Sequence, residues 1–222
     1  PRPTFKMEHL HILDTETAGF QGGVCELAYL KVDRQLNILE EFRTLVNSEC
    51  EIGSSATAIH GITSAMVEDS PTLADLAPRF AGPIYMVAHN APFDKRMITP
   101  TIAVRDTLCT LKLSRQLLTT AESHKLEALQ ASLGLPKQQS HSALGDVHTV
   151  RDLLLYITTN YGLSFDTIVR RNDEPKLVHK MPFGAHKGKA LNKLAKDYRS
   201  WLLEQADIDK DLRYSLNLLK DT

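Results

Sequence analysis

Two carboxylates follow a short apolar run near the start of the chain, in the stretch HILDTETAGF at residues 11–20. Asp14 and Glu16 lie two positions apart, and the nearest basic residues, Lys6 and Lys31, are too distant along the chain to be local partners. Two carboxylates held together at a strand end repel each other. A distant Lys or Arg, a proton or a metal ion must therefore offset their charge.

Three further residues of the right chemical type lie downstream. Asp94 occurs in AHNAPFD, while His141 and Asp146 occur in HSALGD. Taken singly, each has a structural explanation, since an acid in a first helical turn complements the helix dipole and His141 could be an ordinary loop histidine. Together they indicate more, because four carboxylates gathered at one edge of an α/β layer would need cations.

Oxygen ligands of this kind favour Mg²⁺ or Mn²⁺ over zinc. Two such ions stabilise both the attacking and the leaving oxygen of an in-line phosphoryl displacement. A base must also take a proton from water, and a histidine, whose ordinary pKa is about 6.5, can do this at neutral pH. The residue types therefore predict metal-assisted phosphodiester hydrolysis, with His141 as the base.

The elements that must position these residues can be read from the apolar pattern. Residues 9–13 predict a strand that ends at Asp14, and residues 24–32 and 38–46 predict two more strands joined by the turn DRQLN. Short connections predict that these three form an antiparallel meander. Further strands are predicted at 84–89 and 102–107, and helices at 63–69, 72–80, from Asn90, at 123–134 and at 146–157. This order predicts a mixed α/β sheet with helices packed on it.

The composition is that of a soluble globular protein with one sizeable core and a small appendage. The chain has 222 residues and a net charge of −1. No apolar window is long enough to span a membrane, and the first residues lack the apolar segment of a signal peptide. The odd number of cysteines, three, predicts reduced thiols and a cytoplasmic location.

Charge is distributed unevenly along the chain. Residues 1–165 hold 14 basic against 18 acidic side chains, whereas residues 166–222 hold 12 against 9. Residues 176–200 contain seven basic residues and a single acid, Asp197. We therefore predict a domain at 1–165, a linker at 166–179 and a small basic module at 180–222. An acidic body with a basic appendage is typical of a protein whose partner is an anion.

The motifs DTET, AHNAPFD and HSALGD match, in order and type, the three motifs of the DEDDh family of 3′→5′ exonucleases. That family includes the proofreading subunit of bacterial replicative polymerase, ribonuclease T and oligoribonuclease. The segment AIHGITSAMVEDSPT at 58–72 also resembles this family. DTETAGFQGGVCELA and the tail MPFGAHKGKALNKLAKDYRSWLL are most similar to the exodeoxyribonuclease X group within it.

The resemblance implies a ribonuclease H-like fold and a role for each motif residue. Asp14 would bridge two divalent cations, Mg²⁺ or Mn²⁺. Glu16 and Asp146 would hold the ion that carries the nucleophilic water, and Asp94 would support the second ion. His141 would be the general base. Of the three candidates that could offset the charge of Asp14 and Glu16, the resemblance therefore implies metal ions.

Substrate contacts are also carried over from the family. Phe20 stands where the family often has Leu, and could wedge against the terminal base. Phe93 could stack as well, although filling the core is the better interpretation, and Trp201 is expected in the core of the module. The predicted substrate-binding residues are Thr15, Thr17, Phe20, His60, Asn90 and Phe93, together with Lys187 and Lys189, which are added because lysines on a Gly-containing hairpin could approach phosphates.

The leading hypothesis is a 3′→5′ exodeoxyribonuclease that acts on DNA 3′ ends, single-stranded by preference, with no membrane partner. A second hypothesis keeps the chemistry and makes RNA or short oligonucleotides the substrate, because the motifs do not read the 2′-hydroxyl. A third, from another class, is a non-catalytic nucleic-acid-binding or polymerase-accessory module. The presence of all five predicted catalytic residues argues against the third.

Overall fold

The computed structural model describes residues 9–20, 22–175, 177–205 and 208–219. The chain divides into two compact units, Pro1–Val169 and Arg170–Thr222. The division falls inside the segment predicted as a linker, 166–179. That segment begins in a helix, Phe165–Asp173, in which Phe165 and Ile168 are buried in the core of the first unit.

A five-stranded mixed sheet forms the centre of the first unit. The strands are β1 Leu10–Thr17, β2 Val24–Val32, β3 Ile38–Leu45, β4 Ile84–Ala88 and β5 Val104–Cys109. Their order in the sheet is β3-β2-β1-β4-β5, with the first three strands antiparallel and β4 and β5 parallel to β1. This is the ribonuclease H-like arrangement that was predicted.

Strand β1 differs from the prediction in one respect that matters for the site. It does not end before Asp14 but continues to Thr17, because β2 pairs with it along its whole length. Side chains alternate between the two faces of a strand. Asp14 and Glu16 therefore project from one face of β1, and Thr15 projects from the other.

Helices cover both faces of the sheet. Two helices, α1 Ser54–His60 and α5 Thr110–Leu117, were not predicted, and α6 Leu126–Ser132 begins three residues later than expected. Helix α7 begins at Ala143, so that Asp146 lies in its first turn and is not the N-cap. The helices of this unit are α1 Ser54–His60, α2 Ser64–Val67, α3 Leu73–Leu76, α4 Ala91–Ile98, α5 Thr110–Leu117, α6 Leu126–Ser132, α7 Ala143–Tyr161 and the first part of α8 Phe165–Asp173.

The two faces of the sheet bury separate apolar clusters. Leu10 and Ile12 pack with the apolar stripe of α7, whereas Leu13 packs with residues of α4 such as Ile98. This alternation places α7 on the face of Asp14 and Glu16. In the described parts of the chain, no helix is both long enough and apolar enough to cross a membrane.

The described part of the second unit contains the end of α8 and two further helices, α9 Lys196–Glu204 and α10 Lys210–Leu218, with loops and two 3₁₀ turns between α8 and α9. Its core consists of six buried apolar side chains: Met181, Leu191, Leu194, Leu202, Leu212 and Leu216. The expectation that Trp201 belongs to this core is wrong, since its side chain is 50% exposed. Trp201 lies on the outer side of α9, next to Leu202, which turns inward.

Candidate active site

Three carboxylates meet where β1 passes beneath the first turn of α7. One oxygen each of Asp14, Glu16 and Asp146 lies within 4.8 Å of the other two. The period of two along β1 aligns the first pair, and the packing of α7 on the same face brings the third. Residues 132 positions apart are thus brought into one cluster by the sheet and a single helix.

Desolvation and mutual repulsion make this cluster electrostatically unfavourable in its ionised form. Burial, together with the neighbouring Asp94 and Asp146 carboxylates, raises the pKa of Asp14 well above its usual value. Burial, and next the Asp146 carboxylate, raises the pKa of Glu16 to about 7. Burial also raises the pKa of Asp146 to about 6, against the opposing effect of His141.

The donor set fits a hard divalent cation. Carboxylate oxygens are the ligands that Mg²⁺ and Mn²⁺ prefer, and a cation removes the repulsion that otherwise favours protonation. Three oxygens within 4.8 Å of one another are close enough to share one ion. The nearby Arg43 does not serve this purpose, because its guanidinium is bound to Glu26.

Asp94 is not a member of this trio. It lies in the first turn of α4 and is 3% exposed, and its charge acts on Asp14 more strongly than that of Asp146 or Glu16. Its Oδ1 accepts hydrogen bonds from the Thr15 backbone N–H at 3.2 Å and from the Thr15 hydroxyl at 2.8 Å. Burial raises the pKa of Asp94 to about 7 in spite of these bonds. Thr15, predicted to contact substrate, here donates its hydroxyl to Asp94.

His141 lies in the loop before α7, with Asp146 five residues further on. Its φ of +56° is left-handed, which is uncommon for a residue other than glycine and is often found at functional sites. His141 and Asp146 both line a cavity of about 640 Å³. The His141 Nε2 lies 3.6 Å from the Glu127 carboxylate of α6, so an acid on the cavity wall faces the imidazole.

A hydrogen-bonded network of histidines, not anticipated from the sequence, forms the far wall of this cavity. The Nε2 of His89, at the end of β4, lies 2.8 Å from the backbone carbonyl of His124. Its Nδ1 is 3.0 Å from the Thr110 hydroxyl, and His124 Nδ1 is 3.2 Å from the Ser114 hydroxyl. Burial lowers the pKa of His89, which favours a neutral ring. The network connects the end of β4, just before the helix that carries Asp94, to the segment that precedes α6.

Glu26 is a second residue that the sequence reasoning missed. It is the cross-strand partner of Glu16 and is almost fully buried. One of its oxygens binds the guanidinium of Arg43, and the other accepts the Ala143 backbone N–H at 2.8 Å, at the N-terminus of α7. Glu26 thus fixes the helix that carries Asp146 to the strand beside Glu16. The signal available in the sequence was an acid at an inward position of a buried strand.

Gly145 lets the loop that carries His141 approach α7. A Cβ at this position would lie 2.0 Å from the Gln139 carbonyl oxygen, much closer than atoms can pack. The contact is with backbone, which cannot move aside as a flexible side chain can. The glycine of HSALGD is therefore required by the close passage of the loop over the helix.

Phe20 forms part of an exposed aromatic pair at the end of the first motif. Its side chain is 72% exposed, and its ring centroid is 6.4 Å from that of Phe93, which is half-buried and not in the core. The Arg96 guanidinium lies 4.8 Å from the Phe20 ring centroid and donates a hydrogen bond to the Phe20 carbonyl at 3.1 Å. Arg96, which was not predicted, therefore holds the exposed ring in position.

The remaining predicted contacts lie in different surroundings. The His60 Nδ1 accepts the Ile62 backbone N–H, so its Nε2 carries the hydrogen that faces the Thr17 carbonyl at 3.2 Å. His60 thereby supports the end of β1. Asn90 is exposed at the start of α4 and has a left-handed φ of +73°. Lys187 and Lys189 are exposed and belong to the second unit.

Comparison with known proteins identifies the family to which the chain belongs. A family model described as exonuclease matches residues 11–154. Over 219 residues the chain is 33% identical to exodeoxyribonuclease 10 of Escherichia coli K12, covering 93% of this chain and 96% of that protein.

Solved structures give the same result. The structure of exonuclease X in complex with 5′-overhanging duplex DNA superimposes with a TM-score of 0.64 at 34% identity, covering 73% of this chain and 99% of that one. A complex of E. coli exonuclease I with single-stranded DNA has a TM-score of 0.64 at 18% identity, covering 72% and 42% of the two chains. At that identity the second match supports the fold alone.

Proposed function

The chain belongs to the exonuclease family, whose members are metal-dependent nucleases, and from this premise we propose that it is a 3′→5′ exodeoxyribonuclease. The single observation that carries the proposal is the trio of Asp14, Glu16 and Asp146 beside a cavity that His141 also lines. Carboxylates alone could hold a structural ion. A histidine at the same cavity adds the base that hydrolysis requires.

The four acids would hold two divalent cations, which neutralise the charge on the reacting phosphate and lower the pKa of a bound water. Asp14, Glu16 and Asp146 form the shared cluster, and Asp94 would supply a fourth carboxylate next to Asp14. Thr15 keeps Asp94 oriented through two hydrogen bonds. Glu26 keeps the first turn of α7 against β2 through the Ala143 N–H.

His141 would accept the proton of the attacking water. Its side chain is about half exposed, so the imidazole can exchange this proton with solvent after each cleavage. The Glu127 carboxylate, 3.6 Å from the His141 Nε2, would help to orient the imidazole at the cavity wall. The left-handed backbone at His141 directs the side chain from a tight loop, and Gly145 permits that loop to lie close to α7.

The terminal nucleotide would lie against Phe20 and Phe93. An exposed phenyl ring stacks on any base, so this contact does not select a sequence. The guanidinium of Arg96 holds Phe20 from below and retains N–H groups that can approach a phosphate. DNA is the proposed substrate because the relative with 33% identity is named an exodeoxyribonuclease and the matched exonuclease X structure contains DNA.

The test uses matched single-stranded DNA and RNA oligonucleotides labelled at the 5′ end, incubated with Mg²⁺, with Mn²⁺ or with EDTA. We expect a metal-dependent ladder that shortens from the 3′ end, with DNA degraded faster than RNA. The Asp14→Ala protein, checked for folding by circular dichroism, should produce no ladder. A second label at the 3′ end distinguishes this polarity from attack at the 5′ end.

Each of the other possible outcomes would contradict a different part of the proposed function. Faster degradation of RNA would make the chain an exoribonuclease with the same chemistry. Release of internal fragments would contradict exonuclease action. Binding of both oligonucleotides without cleavage under any metal would leave a non-catalytic nucleic-acid-binding module as the better account.

A further inference from the structure

The second unit carries a row of aromatic rings that runs from its core to its surface, since Tyr198 packs against the core and Trp201 lies outside it. The rings of Tyr198 and Trp201, one turn apart on α9, are stacked with centroids 5.6 Å apart and an interplanar angle of 23°. His186, in the 3₁₀ turn before α9, meets Tyr198 edge-on at 4.6 Å. We call these three residues the aromatic row. Its outer member, Trp201, is 50% exposed.

A loop of defined conformation places lysines beside this row. The backbone N–H of Met181 donates to the Lys189 carbonyl, and that of Gly188 donates to the Met181 carbonyl, both at 2.8 Å. Met181 is buried in the core of the unit, so the loop is anchored there. Gly188 has a φ of +84°, which suits glycine. Lys187 and Lys189 are exposed, and Lys187 directly follows His186 of the aromatic row.

The sequence around the row is mainly basic, although Asp197 and Glu204 each lie one turn from Trp201 on α9. Between residues 180 and 200 the only acid is Asp197, whereas the basic residues are Lys180, Lys187, Lys189, Lys193, Lys196 and Arg199. The five lysines are exposed. An exposed indole ring near clustered lysines matches a ligand that offers flat π-surfaces along a negatively charged backbone. Single-stranded nucleic acid has both features, whereas the bases of a duplex are already stacked and cannot reach a ring.

We propose that the aromatic row and the loop of Lys187 and Lys189 form a binding site for single-stranded DNA, separate from the residues that hold the metal ions. A base stacks on the open face of Trp201, and the lysines contact neighbouring phosphates. The choice of DNA over RNA rests on the proposed function. Stacking and phosphate contacts carry no sequence information, so the site accepts any sequence.

Trp201 is the only tryptophan in the chain, and its fluorescence therefore reports on this site alone. The experiment titrates the full chain, in EDTA so that no cleavage occurs, with a dT oligonucleotide and with an abasic oligomer of the same length and charge. We expect saturable quenching by the dT oligonucleotide and much weaker quenching by the abasic oligomer. Equal quenching by the two would show that no base stacks on Trp201 and would overturn the proposal.

Three variants, tested by fluorescence anisotropy of a labelled oligonucleotide, separate the contributions. Trp201→Ala should weaken binding about tenfold, and Trp201→Phe should restore most of the loss. Replacing Lys187 and Lys189 with Ala should reduce the slope of log affinity against log salt by about 1.4. Tyr214→Ala, an exposed aromatic on α10, is the matched control and should bind like the unmodified chain. An unchanged affinity of Trp201→Ala would contradict the proposal.

Other occupants of the face give distinct results. A Trp201 emission spectrum that shifts with protein concentration in the absence of DNA would mean that a second copy covers the row, which would overturn the proposal. The outcome is also independent of catalysis. A chain that cleaves DNA without any Trp201 response would refute this site and retain the proposed function, whereas a Trp201 response without cleavage in Mg²⁺ would do the reverse.

Discussion

The two units of the chain use charge in opposite ways. In the first unit the acids that matter are withdrawn from water, as Asp94 illustrates, and each is held by an element of the sheet or a helix packed on it. In the second unit the lysines stand in water on a loop and on short helical segments. Interactions between buried charges are strong and depend on exact position, whereas interactions between exposed charges are weak and their effects tend to add. The first arrangement suits chemistry, and the second suits binding.

The largest effect should follow loss of one buried carboxylate. Asp146→Asn keeps the shape of the side chain but removes a charge from the cluster with Asp14 and Glu16, and we expect cleavage to fall by about a thousandfold or more. Asp197→Asn, which alters an exposed acid of the second unit, should change the rate less than twofold. Single-turnover cleavage of a labelled oligonucleotide measures both. Similar effects of the two variants would break the contrast between the units.

Removal of the proposed base should slow the chemical step without weakening binding. For His141→Ala we expect kcat to fall by about a hundredfold or more, with KM changed by less than about threefold, because the proton moves only in the transition state. His148→Ala provides the control, because that histidine lies on the same helix as Asp146 but its Nε2 pairs with Glu41 of β3. A rise in KM at constant kcat would indicate that His141 contacts the substrate and is not the base.

Backbone placement should matter in the first unit even when no functional group is removed. Gly145→Ala forces a Cβ against the Gln139 carbonyl, and we expect a loss of about 1–3 kcal/mol in the free energy of unfolding and of about tenfold in activity. Gly188→Ala, in the second unit, meets no atom within 4 Å and strains only its own φ. Chemical denaturation and cleavage rates compare the two. Activity retained by Gly145→Ala would show that the loop tolerates displacement.

Individual lysines of the second unit should have small effects that add. Lys187→Ala and Lys189→Ala should each weaken binding of single-stranded DNA two- to fourfold at low salt, and their effects on the binding free energy should sum in the double variant. Anisotropy titrations in EDTA at two salt concentrations measure this. A strongly non-additive double variant would show that these exposed charges act as one coupled site, as the buried acids do.

The smallest change concerns the pH dependence of stability. The pKa of Glu16 is raised to about 7, so its contribution to stability is present below its unfolded pKa of about 4.5 and is lost as pH rises through 7. In EDTA, Glu16→Gln should therefore match the unmodified chain near pH 4.5 and melt several degrees higher at pH 8. Added Mg²⁺ should reverse this order at pH 8. A melting difference independent of pH would contradict the raised pKa.

Much of the site was predictable because its signals are local. The spacing of Asp14 and Glu16 and the strand pattern around them require no tertiary knowledge, and DTET, AHNAPFD and HSALGD were enough to indicate the family. Three of the strands, β2, β3 and β4, were predicted to within one residue at each end, and β5 is shifted by two residues. Helices α1 and α5 were missed because seven or eight residues give little periodic signal.

The rest depends on partners far apart in the sequence. Glu26 looks like a misplaced acid in a buried strand until its contacts with Arg43 and Ala143 are known. The role of Arg96 depends on Phe20, which lies 76 residues earlier. Trp201 was expected to be buried because tryptophan is large and apolar. Whether its ring faces the core depends on which side chains of the other segments fill that core.

The sequence by itself therefore determined which acids and which histidine are available for the proposed chemistry, and most of the strands that carry them. Those features follow from residue type and from the fixed periods of strand and helix. The tertiary structure decided which acids share one cluster, which one is held beside it by Thr15, and which ring stays exposed. These depend on how separate elements pack, because desolvation and contact at each residue are set by neighbours that local sequence does not specify.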